Sequence, residues 1–302
     1  MTVETRRAPK ELSSLERAVL EAIAYADVFD YPLRHEEVWR ALPLQAPAAE
    51  LEAVLSPDGP FEGVVSRVGD SYTLAGREAL VEVRRRREAA SADLMRQARA
   101  FGSLIARLPF VRMVAVTGSL AVDNADTQDD IDYLIVTAPG RVWLARALTT
   151  ALVVRMAKLR GLTVCPNYVL SESALALPER DPYTARELLQ MRPVAGHDVY
   201  GRMLAANAWC SDLLPNWLVE SETRTERRSM LARAGERLLG GRLGDVIERW
   251  LLRRKGGELR REAGDNSEAV FDETVCKGHF DAHRARLQTE LASRLRSLEV
   301  RP

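Results

Sequence analysis

The spacing of hydrophobic residues predicts three helices and a hairpin near the start of the chain. Apolar residues recur every three or four positions between 15 and 23, and again around Trp39 and around Leu51. Apolar and polar residues then alternate over 64–68 and 71–74, on either side of a Gly-Asp pair. This alternation predicts two strands joined by a tight turn.

The middle of the chain changes to short apolar runs. The runs at 111–116, 131–136 and 163–170 have the length and composition of buried strands. A helical pattern fills 141–160, between the last two runs, and ends at Gly161. Strands separated by a helix predict an α/β sheet.

The predicted organisation has three parts. The first covers 11–80, and the second covers 81–177, which includes a long helix that leads into the sheet. Helical periodicity dominates the rest, so 178–302 is predicted to be an all-α domain. Within it, 273–298 is predicted to form one helix.

Composition and charge exclude several classes of protein. Of 302 residues, 46% are hydrophobic, and 43 basic residues balance 43 acidic ones, which excludes a globally basic nucleic-acid coat. Three widely spaced cysteines form no CxxC pair, so we expect no zinc ribbon or disulfide framework, and a cytoplasmic location. The most apolar helical stretch, 142–154, is too short to span a bilayer, so we expect no membrane partner.

The residues that carry most chemical information lie between two predicted strands. The first strand ends in Gly118 and Ser119, and after ten more residues Asp130 and Asp132 flank the first position of the next strand. Glycine lets the backbone approach an anion closely, and Ser119 adds a hydroxyl and an N–H donor. Alternation puts the two aspartates on one face, where they can share hard divalent cations. Two such ions about 4 Å apart can clamp the attacking and leaving oxygens of a displacement at phosphorus.

This motif resembles the core motif of the DNA polymerase β-type nucleotidyltransferase superfamily: a strand, Gly-Ser, a helix-containing spacer, and Asp-x-Asp on the next strand. The resemblance implies an α/β (α+β) core with a small mixed sheet. It also implies transfer of a nucleoside monophosphate from an NTP to an acceptor, with release of pyrophosphate. On the family pattern Gly118 and Ser119 would hold the terminal phosphates, and Asp130 and Asp132 would bind two Mg²⁺ ions.

Two features depart from the family pattern. Many members carry a third carboxylate on the following strand, where this chain has Asn167, an amide that brings no negative charge and cannot take a proton. Glu172 and Asp181 are candidate substitutes downstream. The spacer also lacks the arginine that many relatives carry after Gly-Ser, and we expect Asp129 to cap a turn or to point to solvent. Magnesium and basic residues from elsewhere would then have to meet the phosphate charge.

Two regions are candidates for contact with nucleic acid. The three helices and hairpin resemble a winged helix-turn-helix, but the candidate recognition segment, 47–55, carries two glutamates and no basic residue. Residues 224–261 contain twelve basic and five acidic residues, which could hold an NTP or a polynucleotide or could form a solvated face. His279 and His283 have a spacing that can bind metal, with ordinary surface histidines as the alternative.

Three functions remain open from the sequence. The first is a magnesium-dependent nucleotidyltransferase that acts on a small molecule, an RNA or a protein. The second is a nucleotide-binding regulator or docking module with weakened catalysis, which Asn167 motivates. The third is an antitoxin-like protein that nucleotidylates a partner protein.

Overall fold

The computed structural model describes residues 12–217, 229–264, 266, 268–278 and 283–299. The helices are α1 (Ser14–Asp27), α2 (His35–Ala41), α3 (Ala48–Val54), α4 (Leu80–Ile105), α5 (Gly118–Ala121), α6 (Val142–Leu148), α7 (Arg155–Lys158), α8 (Pro182–Gln190), α9 (His197–Ala206), α10 (Cys210–Leu213), α11 (Met230–Leu239), α12 (Gly241–Leu251), α13 (Gly257–Ala263) and α14 (His283–Glu299). The strands are β1 (Leu33–Arg34), β2 (Val65–Val68), β3 (Ser71–Leu74), β4 (Val111–Val116), β5 (Ile131–Thr137), β6 (Val164–Ser171), β7 (Arg192–Ala195), β8 (Val270–Phe271) and β9 (Val275–Lys277). Turns of π-helix join α6 to α7 and α12 to α13.

The described chain folds into two compact units that do not follow chain order. The first unit contains the described residues up to Arg84, together with 211–217 and 284–299. The second unit contains the remaining described residues. Residues far apart in the sequence therefore share the first unit.

The predicted helices and hairpin of the first unit are confirmed as α1 to α3, β2 and β3. Ser13 caps α1 and forms a capping box with Glu16, which satisfies backbone donors at the start of the helix. The structure adds β1, which pairs with β3 and gives the strand order β1-β3-β2. Leu51 of α3 and Leu298 of α14 are both buried in the core of this unit.

The second unit is built on a six-stranded mixed sheet with the order β7-β4-β5-β6-β9-β8. The predicted strands at 111–116, 131–136 and 163–170 are confirmed as β4, β5 and β6. β5 and β6 run parallel, and the other neighbouring strands run antiparallel. The predicted helix at 141–160 is confirmed as α6 and α7 with the π-helical turn between them. The fold is therefore of the mixed α+β class.

The prediction that 178–302 is all-α is wrong. β7 pairs with β4, and β9 pairs with β6, so this part of the chain supplies both sides of the sheet. Within the helix predicted over 273–298, Val275–Lys277 form β9, and the described helix is α14, His283–Glu299. Strands of two to four residues are too short to show a clear alternation of apolar and polar positions. They form because the free edges of β4 and β6 offer unpaired backbone groups.

Apolar residues of β4 and β5 form the core of the second unit with α4, α6 and α7. The buried Tyr133 hydroxyl donates to the backbone oxygen of Ala98 in α4, so the long helix is fixed to the sheet. Within the described ranges, we find no helix with the length and apolar character needed to cross a bilayer.

Candidate functional site

The antiparallel pairing of β4 with β5 brings Gly118 against Asp132. Val116 pairs with Tyr133, and the Thr117 N–H donates to the backbone oxygen of Asp132 at 3.0 Å. Gly118 has a φ of +67°, and a Cβ atom added there would lie 3.1 Å from Asp132 Oδ2. Glycine therefore provides both the left-handed backbone and the clearance that the carboxylate needs.

The two aspartates flank a buried residue at the start of β5. Ile131 and Tyr133 are fully buried in the core, as expected for positions that alternate with Asp130 and Asp132. Asp130 is exposed, and Asp132 is partly buried. The predicted pair therefore lies at the solvent-accessible end of a strand that is otherwise buried.

Negative charge accumulates around Asp132. Burial, and then the charges of Asp130, Glu187 and Asp129 in that order, raise the pKa of Asp132 to about 7. Among the described residues, each of these contributions raises the pKa of Asp132. Because these neighbouring carboxylates repel one another, their charged forms would be stabilised by a cation.

Glu187 of α8 is a member of this group that the sequence analysis missed. It is partly buried, and burial raises its pKa to about 7, opposed by the positive charge of Lys277. Among the described residues, the carboxylates of Glu187, Asp130 and Asp132 form no ion pair and accept no hydrogen bond. The available sequence signal was a glutamate beside the buried Ala185 and Leu188 on one turn of an amphipathic helix.

The charge of Glu187 acts on Asp132 because β7, which follows α8, pairs with β4. Arg192 of β7 pairs with Val116, only two residues before the glycine bend. Arg192 also forms a bidentate ion pair with Asp123, with nitrogen–oxygen distances of 3.0 and 2.6 Å. The same short strand therefore places α8 and holds the spacer that follows Ser119.

In the structure, Asn167 does not lie opposite Asp132 on the neighbouring strand. Asp132 is level with Cys165 on the parallel strand β6, and a bulge then sets Pro166 and Asn167 together opposite Tyr133. Proline lacks the N–H that regular pairing uses, which accounts for a bulge at this point. Asn167 lines a cavity of about 50 Å³ with Arg146 and Cys165, among other residues. The residue beside Asp132 on the next strand is thus a cysteine.

Cys165 does not supply a reactive thiolate at this position. Burial, together with the charges of Asp132 and Asp130, raises the pKa of its thiol to about 11, and Arg146 offsets only part of this rise. The thiol therefore stays protonated near neutral pH and is a poor nucleophile.

The spacer between the two halves of the motif is held by its own side chains and by α4. Asp129 accepts the Asp126 N–H at 2.9 Å and the Ser119 hydroxyl at 3.4 Å, so Asp129 caps a turn. Arg87 of α4 donates to the Asn124 side chain at 3.1 Å. These contacts fix the Gly-Ser bend without using Asp130 or Asp132.

The candidate substitutes for a third carboxylate have other partners. Glu172 forms ion pairs with Arg202 and Arg112. Asp181 caps α8 by accepting the Thr184 N–H at 2.9 Å. Of the other candidates, His279 and the basic residues at 224–228 lie outside the described residues, as does the side chain of His283.

The oxygen atoms of Asp130 and Asp132 fit a hard divalent cation. The glycine bend leaves the Asp132 oxygen uncovered, and the surrounding charge is negative. In the part of the chain that the structure describes, no group of three or more His, Cys, Asp or Glu side chains forms a metal site by itself. Magnesium commonly takes one or two carboxylates and completes its coordination with phosphate and water.

The arrangement places two carboxylates beside an open glycine bend, and the charge of a third carboxylate, Glu187, acts on Asp132. All of these residues lie within the second unit. Comparisons with protein-family models, with curated proteins and with solved structures give no match to this chain.

Proposed function

We propose that the chain is a magnesium-dependent nucleotidyltransferase that moves a nucleoside monophosphate from an NTP to a hydroxyl or amine of an acceptor. In this proposal the mixed sheet and α4 form a nucleotidyltransferase core. The first unit contains a winged-helix-like module, whose helix α3 exposes Glu50 and Glu52. Those charges favour a protein-docking role over phosphate contact for α3.

The observation that carries the proposal is the position of Gly118 against the Asp132 carboxylate. A Gly-Ser bend can hold phosphate only where the backbone is open, and φ +67° with no side chain meets that need. Asp130 and Asp132 at the start of the adjacent strand would hold the metal. The bend would then contact the phosphate, and the two carboxylates would contact the metal ion bound to that phosphate.

The proposed reaction is an in-line displacement at the α-phosphorus of the NTP. The acceptor oxygen or nitrogen forms a bond to phosphorus, the bond from phosphorus to the bridging oxygen breaks, and pyrophosphate leaves. Gly118 and Ser119 orient the phosphates through backbone N–H groups. Magnesium bound to Asp130 and Asp132 would neutralise the negative charge that develops on the phosphate oxygens.

We assign the proton acceptor to Glu187 rather than to Asn167. An amide cannot take the acceptor proton, whereas a carboxylate with a pKa of about 7 exchanges protons readily near neutral pH. The charge of Glu187 acts on Asp132, so the two groups share one electrostatic environment. This assignment removes the need for a carboxylate on β6.

The test is the transfer of label from NTPs and the release of pyrophosphate by the full chain. We expect Asp130→Ala and Asp132→Ala to abolish transfer without unfolding the protein. Glu187→Gln should lower the turnover number by about 10²-fold or more, with a smaller effect on NTP binding. Exposed Asp58→Ala is the matched control and should keep full activity. Transfer that persists without both aspartates would refute the proposal.

A nucleotide-binding regulator is the second candidate, and Asn167 favours it because the third carboxylate of the family pattern is absent there. The two candidates differ in one result. Magnesium-dependent NTP binding without pyrophosphate release, across small-molecule, RNA and protein acceptors, would support the regulator. Label transferred to one protein in a lysate would instead identify the antitoxin-like reaction.

A further inference from the structure

Two consecutive helices of the second unit carry large apolar side chains on their outer surface. Six residues of α11 and α12 have between 53% and 81% of their surface exposed. They are Met230, Leu231, Leu238, Leu243, Val246 and Trp250. Exposed apolar groups of this size, repeated at helical spacing, mark a surface that another body covers.

The acidic residues of α11 and α12 all have partners near the start of β4 or at the start of α6. Glu236 accepts the Phe110 N–H at 2.8 Å and pairs with Arg112 at 2.9 Å. Asp245 pairs with Arg141 at 2.7 Å. Glu248 accepts the N–H groups of two residues at the start of α6. Each carboxylate of these helices is therefore already engaged within the second unit.

Several exposed arginines lie on α11, on α12 and on the π-helical turn that follows α12. Arg237, Arg242, Arg249 and Arg253 are exposed, and within the described ranges none of them forms an ion pair. The outward side of α11 and α12 thus combines apolar residues with uncompensated positive charge. We name these four arginines and the six apolar residues the α11–α12 face.

The charge and the apolar side chains of the α11–α12 face favour one kind of binding partner. A second copy that met this face with its own α11–α12 face would bring arginines against arginines, which is unfavourable. Long aliphatic side chains and a tryptophan on the outside of helices, bordered by arginine, are typical of helices that lie in the surface of a bilayer. Anionic headgroups would pair with the arginines while the apolar side chains enter the acyl boundary.

We propose that the α11–α12 face attaches the protein peripherally to membranes that contain anionic lipids. Such attachment needs no spanning segment, because the helices lie parallel to the bilayer surface. The proposal does not depend on the nucleotidyltransferase activity, since none of these residues belongs to the carboxylate site.

The test is sedimentation of the full-length protein with vesicles of phosphatidylcholine alone or with about a third phosphatidylserine. We expect binding to the anionic vesicles, and binding at least about tenfold weaker to the neutral vesicles or at high salt. Trp250 emission should shift to shorter wavelength on binding. A Trp250→Phe variant should bind without that part of the shift.

Two variants separate the apolar and charged contributions. Leu238→Ser with Trp250→Ser should weaken binding at least about tenfold, and Leu159→Ser, at an exposed position just after α7, should not. Arg242→Glu with Arg249→Glu should remove the preference for anionic vesicles, whereas Arg99→Glu on α4 should retain it. All these side chains are exposed, so the variants should fold, which circular dichroism would check.

Three results would overturn the proposal. One is the absence of binding to anionic vesicles by the wild-type protein. Another is binding that the two double variants leave unchanged. The third is a concentration-dependent dimer, without vesicle binding, that Leu238→Ser with Trp250→Ser dissociates, because it would assign the α11–α12 face to a second copy.

Discussion

The Asp132 carboxylate is costly to ionise in the folded chain. Its pKa rises from an ordinary 3.8 to about 7, mainly through burial and then through the neighbouring acids. The folded state therefore holds a proton that the unfolded state has released between these pH values. The stability that this proton confers is complete below about pH 4 and is lost as the pH rises through about 7.

Asp132→Asn should consequently stabilise the metal-free protein at about pH 8, by roughly 1–3 kcal/mol, since each pKa unit corresponds to about 1.4 kcal/mol. Below about pH 4 the variant and the wild type should converge. Urea unfolding across this pH range measures the difference. Exposed Asp58→Asn should show no such trend, and a variant less stable than the wild type at every pH would contradict the electrostatic account.

Alanine substitutions at Gly118 and Gly140 can distinguish backbone strain from crowding of the Asp132 carboxylate. Both have a positive φ, of +67° and +66°, but an added Cβ meets Asp132 at Gly118 and nothing within 4 Å at Gly140. Alanine should destabilise the protein by about 1 kcal/mol at either position. Only Gly118→Ala should also abolish the stabilisation by magnesium and NTP in a thermal titration. Equal ligand responses from the two variants would show that the bend does not contact the ligand.

Residue patterns revealed part of the site. Gly118, Ser119, Asp130 and Asp132 were recognisable because they are close in sequence and flank two apolar strands. Glu187 was not, because its approach to Asp132 depends on the pairing of β7 with β4. Asn167 was proposed as the counterpart of the family's third carboxylate, but the bulge on β6 sets it opposite Tyr133 rather than opposite Asp132.

At the scale of elements, one buried carboxylate joins α12 to α6. Both oxygens of Glu248 accept backbone N–H groups at the start of α6, from Trp143 at 2.9 Å and Leu144 at 2.7 Å. These donors lie in the first turn, where a helix cannot satisfy them internally. Glu248 thus links α12 to α6, the helix that packs against the sheet.

Glu248→Ala should destabilise the protein by about 2–4 kcal/mol, because two buried donors lose their acceptor. Glu248→Gln keeps one acceptor oxygen and should lose less. Exposed Glu262→Ala should leave stability unchanged. Guanidinium denaturation measures all three variants, and a Glu248→Ala variant as stable as the wild type would show that the N–H groups find other partners.

Whether a segment forms a helix or a strand was predictable where its hydrophobic pattern was long. The central strands, the hairpin and the helices α1 to α3 carry clear periodicity, and the structure contains them. The short strands β7 to β9 carry almost none, since two to four residues cannot distinguish a strand from a loop. Their formation depends on the edges that β4 and β6 present, which is a property of the folded sheet.

For the whole molecule, the division into two units depends on contacts distant in sequence. Leu298 of α14 is buried among residues of α1 to α3, and Arg294 pairs with the buried Asp27 at 2.7 Å. Sequence periodicity predicts that the final helix is amphipathic, but it does not say which core the helix joins.

Leu298→Ala should therefore destabilise the first unit by about 2–4 kcal/mol through the cavity that it leaves. Hydrogen exchange should become faster in α1 to α3 and remain unchanged in β4 to β6. Leu159→Ala, at a position 89% exposed, should change neither. Faster exchange throughout β4 to β6 would show that the two units unfold together.

The central claim is that Asp130 and Asp132 hold magnesium while the Gly118 bend holds the phosphates of an NTP. The most direct test is the thermal stability of the full chain, titrated with each NTP in the presence and absence of magnesium. The account predicts that the melting temperature rises only when NTP and magnesium are present together, and that Asp130→Asn with Asp132→Asn removes the rise. No rise with any NTP and magnesium, or an equal rise in the double variant, would contradict it.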